Sequence, residues 1–378
     1  MAGIYIHIPF CKKLCHYCDF YHIVSDGEHN DFIKALLKEA EIRKNYPGKE
    51  LISTIYFGGG TPSVFSVNEL NLMLDHLRKC FTIEKESEIT VELNPDDIFP
   101  DYLKGLKDIG INRISIGIQS WRDEDLKLLN RRHTSLQALK ALEDTIKTGF
   151  ENVTMDLIYG IPGMRTDNWS LNIDRSLSFG INHLSAYHLT IEPGTPFGKM
   201  KEKGILTEVD EEESIAQFNL LIEKTESAGF VNYEISNFGK PGHFSIHNTN
   251  YWKQVPYLGL GPSAHSFNGY SRQWNVRDLK KYIKSVKKGK PLFETEELNL
   301  KTRFNEYIMT SLRTMWGIDL EYIENVFEKE GYDYIINLAG KFIDYGLMQQ
   351  KEKTLVLTNQ GKMISDNIIS EFMMIQKD

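Results

Sequence analysis

Between residues 4 and 189, short runs rich in β-branched and aromatic residues alternate six times with stretches of helical spacing. The expected strands cover 4–8, 52–57, 89–93, 113–118, 153–158 and 183–189. The expected helices cover 31–42, 67–80, 102–106, a segment starting at 123, 136–146 and 168–179. In the first helix Phe32, Ile33, Leu36, Leu37 and Ala40 fall on one face at three-to-four spacing. Strand-then-helix repetition of this kind predicts a parallel sheet with helices outside it. The fold class expected is therefore α/β, a partial (β/α)6 barrel of the TIM type.

Polar residues gather where these strands end. Cysteines follow the first strand, GGGTP the second and Asn94-Pro95 the third, with Glu92 just inside. Gln119 and Ser120 follow the fourth, Asp156 lies near the end of the fifth, and His188 and Thr190 close the sixth. In barrel-like β/α folds the site forms at the C-terminal ends of the strands, so these groups are expected to ring one mouth.

Cys11, Cys15 and Cys18 are three of the chain's four cysteines, spaced C-x3-C-x2-C on one short loop. Thiolates select zinc, copper(I) or iron–sulfur clusters. A closed zinc site wants four protein ligands, commonly as two separated pairs, and here His7 or His16 would have to complete it. Three thiolates on a [4Fe–4S] cluster instead leave one iron open to a small molecule. Cys80 sits apart in an apolar helical pattern and reads as a structural thiol. Gly58-Gly59-Gly60-Thr61-Pro62 at a strand end is either a tight turn or a place where backbone approaches a ligand.

The 378 residues suffice for a large domain and a smaller one. We expect a barrel core over 1–235, an aromatic and histidine-containing segment with a basic helix over 236–298, and a C-terminal unit over 299–378. In that unit, helices at 303–315, 320–330 and 334–345, a hairpin at 347–350 and 354–358, and a helix from 360 suggest a small winged-helix-like module. A net charge of −8 argues against a general nucleic-acid binder. No window reaches the ~20 apolar residues of a membrane span, and MAGIYIHIPF lacks the features of a signal peptide, so a cytoplasmic setting is expected.

The segments YIHIPFC, FGGGTPS, VELNP, IGIQS, LNRRH and DLIYGIP, in this order, resemble the radical S-adenosylmethionine (SAM) superfamily. Within it they resemble the branch that contains oxygen-independent coproporphyrinogen III oxidase and the HemW-type haem chaperones. The resemblance runs along nearly the whole chain. It implies that Cys11, Cys15 and Cys18 hold a [4Fe–4S] cluster whose fourth iron is chelated by SAM. It also implies that Tyr5 lies beside that SAM, that Gly59, Gly60 and Thr61 contact its methionine part, and that Glu92, Gln119, Arg131 and Asp156 contact it elsewhere. Carboxylates suit ribose hydroxyls and ammonium, and Arg131 suits a carboxylate. A buried structural role is the alternative for Glu92 and Asp156.

Two features choose within the branch. The oxidase carries a further cysteine after the triplet, where this chain has Phe20. Residues 247–252, HNTNYW, match the H-N-x-x-Y-W hallmark of the haem chaperones. The resemblance therefore implies haem as cargo, with His247, Tyr251 and Trp252 in contact with it and His243 and His265 as competing ligands. Read from the residues alone, His247 is more readily a hydrogen-bonded core histidine among packed aromatics. The lysines from Lys280 to Lys290 form a solvated helix face or an attraction for haem propionates or an anionic membrane surface. The function expected is delivery of haem to an acceptor protein, with membrane association of the acceptor and homodimer formation left open. Oxidative decarboxylation of coproporphyrinogen III is the enzyme alternative.

Overall fold

The computed structural model describes residues 1–25 and 27–374. Its centre is six parallel strands in chain order: β1 (Ala2–Ile8), β2 (Ile52–Gly59), β3 (Ile83–Leu93), β4 (Arg113–Gln119), β5 (Asn152–Tyr159) and β6 (His183–His188). The crossovers carry α1 (His29–Ile42), α2 (Val67–Cys80), α3 (Pro100–Asp108), α4 (Asp123–Leu128), α5 (Ser135–Lys147) and α6 (Thr166–Leu177). Residues along a strand point alternately to opposite faces. Ile4, Ile6 and Ile8, Ile55 and Phe57, Ile114, Ile116 and Ile118, and Met155 and Leu157 join the apolar core with the helices. The other face carries Tyr56, Thr90, Glu92, Arg113, Ser115, Thr154, Asp156, His183 and Ser185, and it lines a cavity. The sheet is thus apolar outside and polar inside.

Beyond β6 the order of elements changes. α7 (Pro196–Glu202) follows, because Thr195 caps it by accepting from Gly198 N at 3.0 Å and Pro196 fits the first turn. After α8 (Glu211–Ser227) comes a hairpin of β7 (Val231–Glu234) and β8 (Asn237–Gly239). Asn232 Nδ2 donates to the Glu234 carbonyl at 2.6 Å, a local bond that turns the chain.

The histidine-rich stretch forms α9 (Ile246–Trp252), then β9 (Tyr257–Leu260), which adds a parallel strand against β1. β10 (His265–Phe267), β11 (Ser271–Asn275) and β12 (Phe293–Glu297) extend that edge antiparallel, giving this sheet twelve strands among the described residues. The basic segment is α10 (Leu279–Lys287), with Leu279, Tyr282, Ile283 and Val286 buried and Lys280, Lys281, Lys284 and Lys287 exposed.

The C-terminal part has its own core, including Phe304, Ile308, Ile323, Phe342 and Phe372. It comprises α11 (Leu300–Ser311), β13 (Ile318–Asp319), α12 (Leu320–Asp344), β14 (Met348–Lys351), β15 (Thr354–Leu357), α13 (Asn359–Met363) and α14 (Ser365–Phe372). The helices expected at 320–330 and 334–345 run together in α12, broken at Glu328 with φ of +61°. This part is tied to β7 by Met315 N donating to Tyr233 O at 3.0 Å and Lys362 Nζ to Asn232 Oδ1 at 2.6 Å. Among the described residues no helix is long and apolar enough to cross a membrane.

Candidate functional site: a polar cavity under the cysteine loop

The loop after β1 is held from several sides. Lys12 Nζ donates to Asp97 at 2.6 Å, Asn130 Nδ2 to Leu14 O at 2.6 Å, and His16 Nδ1 to Leu128 O at 2.9 Å. So fixed, Cys11, Cys15 and Cys18 line the mouth of a cavity of about 400 Å³, within the range of small-molecule sites. The three thiols are free. The zinc alternative finds no support. Among the described residues no three His, Cys, Asp or Glu side chains converge as one ion requires. Of the histidines that could have completed it, His7 Nε2 is bonded to Tyr21 O at 2.8 Å and His16 to Leu128.

The glycine run faces this loop. Gly60 N donates to Ile8 O at 2.7 Å and Thr61 N to Phe10 O at 2.8 Å. A Cβ at Gly60 would stand 2.7 Å from Phe10 O and 3.1 Å from Cys11 Sγ, so only glycine lets the two backbones meet. Gly59, with φ of +103°, is the second position that requires it. Thr61 Oγ1 then reaches Cys11 Sγ at 3.3 Å. Arg131 donates from Nη1 to Cys15 Sγ at 3.5 Å, and from Nη2 to Asn94 Oδ1 at 2.5 Å and Gly117 O at 2.8 Å. Its Nε is buried beside the cavity with no partner among the described residues, a donor left for an anionic group.

Deeper in, Glu92 accepts from Tyr56 OH at 2.8 Å, and Asp156 accepts from Ser115 Oγ at 2.9 Å. Burial, with the Asp156 charge adding to it, pushes the Glu92 carboxyl up to about 8 against the Tyr56 bond that favours its anion. Burial likewise raises Asp156 to about 6, opposed by the Ser115 and Ser185 hydroxyls. Two buried carboxyls reluctant to ionise make a pocket that favours a cation. Thr90 Oγ1 is buried on the same wall without a partner among the described residues. Gln119, with φ of +65°, ends β4 on this wall.

The cavity brings together Cys11, Cys15, Cys18, Gly59, Gly60, Thr61, Glu92, Gln119, Arg131 and Asp156. Tyr5 is not on its wall. Its hydroxyl meets His7 Nδ1 at 3.2 Å, and its ring packs near Tyr56 and His247. His247, Tyr251 and Trp252 are also off the wall, on α9 at the opposite, N-terminal end of the strands. Glu88, early in the paired part of β3, accepts from Ile246 N at 3.0 Å and His247 N at 2.9 Å. His247 is 2% exposed, with Nδ1 2.8 Å from Thr54 Oγ1 and Nε2 3.1 Å from Tyr251 OH. In this fold neither ring nitrogen is left for a metal, and burial lowers its pKa to about 3. The residues of α9 that do face the cavity are its N-cap Ser245 and Asn248. Of the competing histidines, His243 lies 3.4 Å from Asn152 Oδ1 and His265 stacks on Trp274.

Sequence reasoning also passed over Tyr56, Thr90, Arg113, Ser115, Ser185 and Tyr187. Their signal was polar residues at every second place in otherwise apolar strands, as in TVEL, SIGIQ and HLSAYH.

The profile of the Radical SAM superfamily matches residues 5–169. The heme chaperone HemW of Bacillus subtilis is 32% identical over 376 residues, covering 99% of this chain and 99% of that protein. The protein of the same name from Lactococcus lactis is 32% identical over 98% of this chain and 97% of its own. This chain belongs to the HemW family of radical SAM proteins. The fold also matches that of coproporphyrinogen III oxidase (HemN) from Escherichia coli, with a TM-score of 0.86 over 98% of this chain and 90% of that one at 24% identity. Membership of the superfamily implies a [4Fe–4S] cluster and SAM, and the cavity fits both. Three free thiols stand at its mouth, and buried carboxyls and an unpartnered guanidinium nitrogen lie within reach of a zwitterionic, cationic ligand. Bound there, the cluster would supply the electron that reductive cleavage of SAM requires.

Proposed function

We propose that this chain is a haem chaperone. It holds a [4Fe–4S] cluster through Cys11, Cys15 and Cys18, binds SAM in the cavity below, takes up haem and passes it to an acceptor protein in the cytoplasm. The observation that carries this reading is likeness to proteins named heme chaperone HemW from one end of the chain to the other, 99% of each in the Bacillus subtilis case. Gly59, Gly60, Thr61 and Gln119 hold the methionine and adenosyl parts by backbone and amide contacts. Glu92 and Asp156 face the positive charge, and Arg131 takes the carboxylate. Tyr5 supports Tyr56 from below, and Tyr56 orients Glu92. His247, Tyr251 and Trp252 close the floor of the barrel, and the axial ligand to haem is sought elsewhere.

The test is anaerobic reconstitution followed by parallel titration with haemin and assay with coproporphyrinogen III. A Soret shift with haemin and no decarboxylation is the expected outcome. Formation of protoporphyrinogen would overturn the proposal in favour of the oxidase. Cys15→Ala is expected to abolish the broad iron–sulfur absorption, and its persistence would show the ligands misassigned.

A further inference from the structure

At the cavity mouth the cysteine loop presents side chains that neither the cluster nor the SAM pocket uses. Phe20 lines the mouth and is 68% exposed. His22 lines it too, half-buried, with Nδ1 2.7 Å from Phe20 O. That carbonyl can only accept, so Nδ1 is the donor of this bond, and in the neutral imidazole Nε2 is the nitrogen with the lone pair. Nε2 makes no hydrogen bond among the described residues. A histidine that donates one ring nitrogen to a backbone carbonyl and leaves the other bare has the tautomer and orientation of a metal ligand. No other histidine on the cavity wall stands this way. His183 is bonded through both nitrogens, to Thr154 and Tyr233, and His188 Nε2 lies 3.1 Å from Ser214 Oγ.

Cations flank the same surface. Arg277, with its side chain 60% exposed, donates to Asp19 O at 2.7 Å beside Phe20. Leu279 N donates to Tyr21 OH at 2.7 Å, which ties the loop to the start of α10 and so to the exposed Lys280 and Lys281. Lys13 stands exposed on the rim. A flat apolar face, a bare imidazole nitrogen and several exposed cations are what a metalloporphyrin with two carboxylates needs.

We propose that haem is seated at the mouth of the cavity, with His22 Nε2 as axial ligand, Phe20 against the porphyrin and Arg277 with its neighbouring lysines against the propionates. This rests on the haem-binding reading above and names its site. His22 Nδ1 is 3.9 Å from Cys18 Sγ, so the seat adjoins the cluster. Haem leaving it exits directly to solvent, as transfer to another protein requires.

The test is haemin titration of the full-length, anaerobically reconstituted protein, read by Soret position and low-spin ferric resonance. Wild type, His22→Gly, His188→Ala, His247→Ala and Arg277→Glu are compared. His22→Gly is expected to lose the imidazole-ligated Soret band and the low-spin signal, and added imidazole is expected to restore both, which a folding defect would not allow. Arg277→Glu is expected to weaken binding severalfold with the Soret position unchanged. A wild-type spectrum in His22→Gly, or no rescue by imidazole, overturns this site while leaving the chaperone reading in place. Loss of the band in His188→Ala or His247→Ala alone does the same. Failure of the wild-type protein to bind haemin overturns the chaperone reading itself.

Discussion

The most informative single residues are the two carboxyls in the cavity. With its carboxyl raised to about 8, Glu92 holds a proton in the empty pocket at neutral pH, and a cationic ligand must displace it. SAM affinity is therefore expected to climb between about pH 6 and about pH 9, by up to about tenfold per pH unit, and to level off above. The sign for folding is opposite. A carboxyl raised in the folded state favours the fold while protonated, and that contribution is lost as pH rises from the ordinary carboxylate range through about 8. Glu92→Gln is expected to flatten the binding profile and cost about 10- to 100-fold in affinity, the value of one hydrogen bond to a charged group. Equilibrium dialysis of SAM across pH checks both, and an unchanged slope in the variant would assign the proton elsewhere. Gly60 makes a different point. Its motif suggested ligand contact, and the fold gives a prior reason for glycine, which is the backbone of the cysteine loop lying against it.

At the scale of elements, α9 is a seven-residue helix that would not be stable alone. It is fixed by the Glu88 carboxylate on its first backbone donors, by the Ser245 cap, and by His247 between Thr54 and Tyr251. Glu88 also lies 3.9 Å from Arg113, both within the barrel. Glu88→Ala leaves that guanidinium without its carboxylate and frees the start of α9. We expect a loss of about 3–5 kcal/mol, read as a lower midpoint in denaturant. Elements with strong local signals matched their sequence reading. The capping box of Ser66 and Glu69 starts α2, and that of Thr134 and Gln137 starts α5. β9 was missed because YLGL is too short and glycine-rich to read as a strand until β1 is beside it.

At the scale of the molecule, two cores meet at β7. Lys362 reaches across to Asn232, and burial lowers its pKa to about 8, so its removal strips two buried acceptors of a donor. Lys362→Ala is expected to cost about 1–3 kcal/mol, and calorimetry should then resolve an earlier melting of the C-terminal part. One unshifted transition would mean the contact does not couple them. Sequence alone determined the parallel six-stranded frame, the cysteine loop at its mouth and the strand-end polar residues that line the cavity. Period-two and period-three-to-four patterns and strand-end polar groups are local properties that survive any packing. Only the tertiary structure decided where HNTNYW lies and what its histidine is bonded to. A histidine next to aromatics reads the same whether it faces a ligand or a wall, and the difference lies in Thr54 and Glu88, far away in the chain. The same holds for His22, whose bare nitrogen is defined by a turn of the loop onto the carbonyl of Phe20 and whose surroundings are completed by α10.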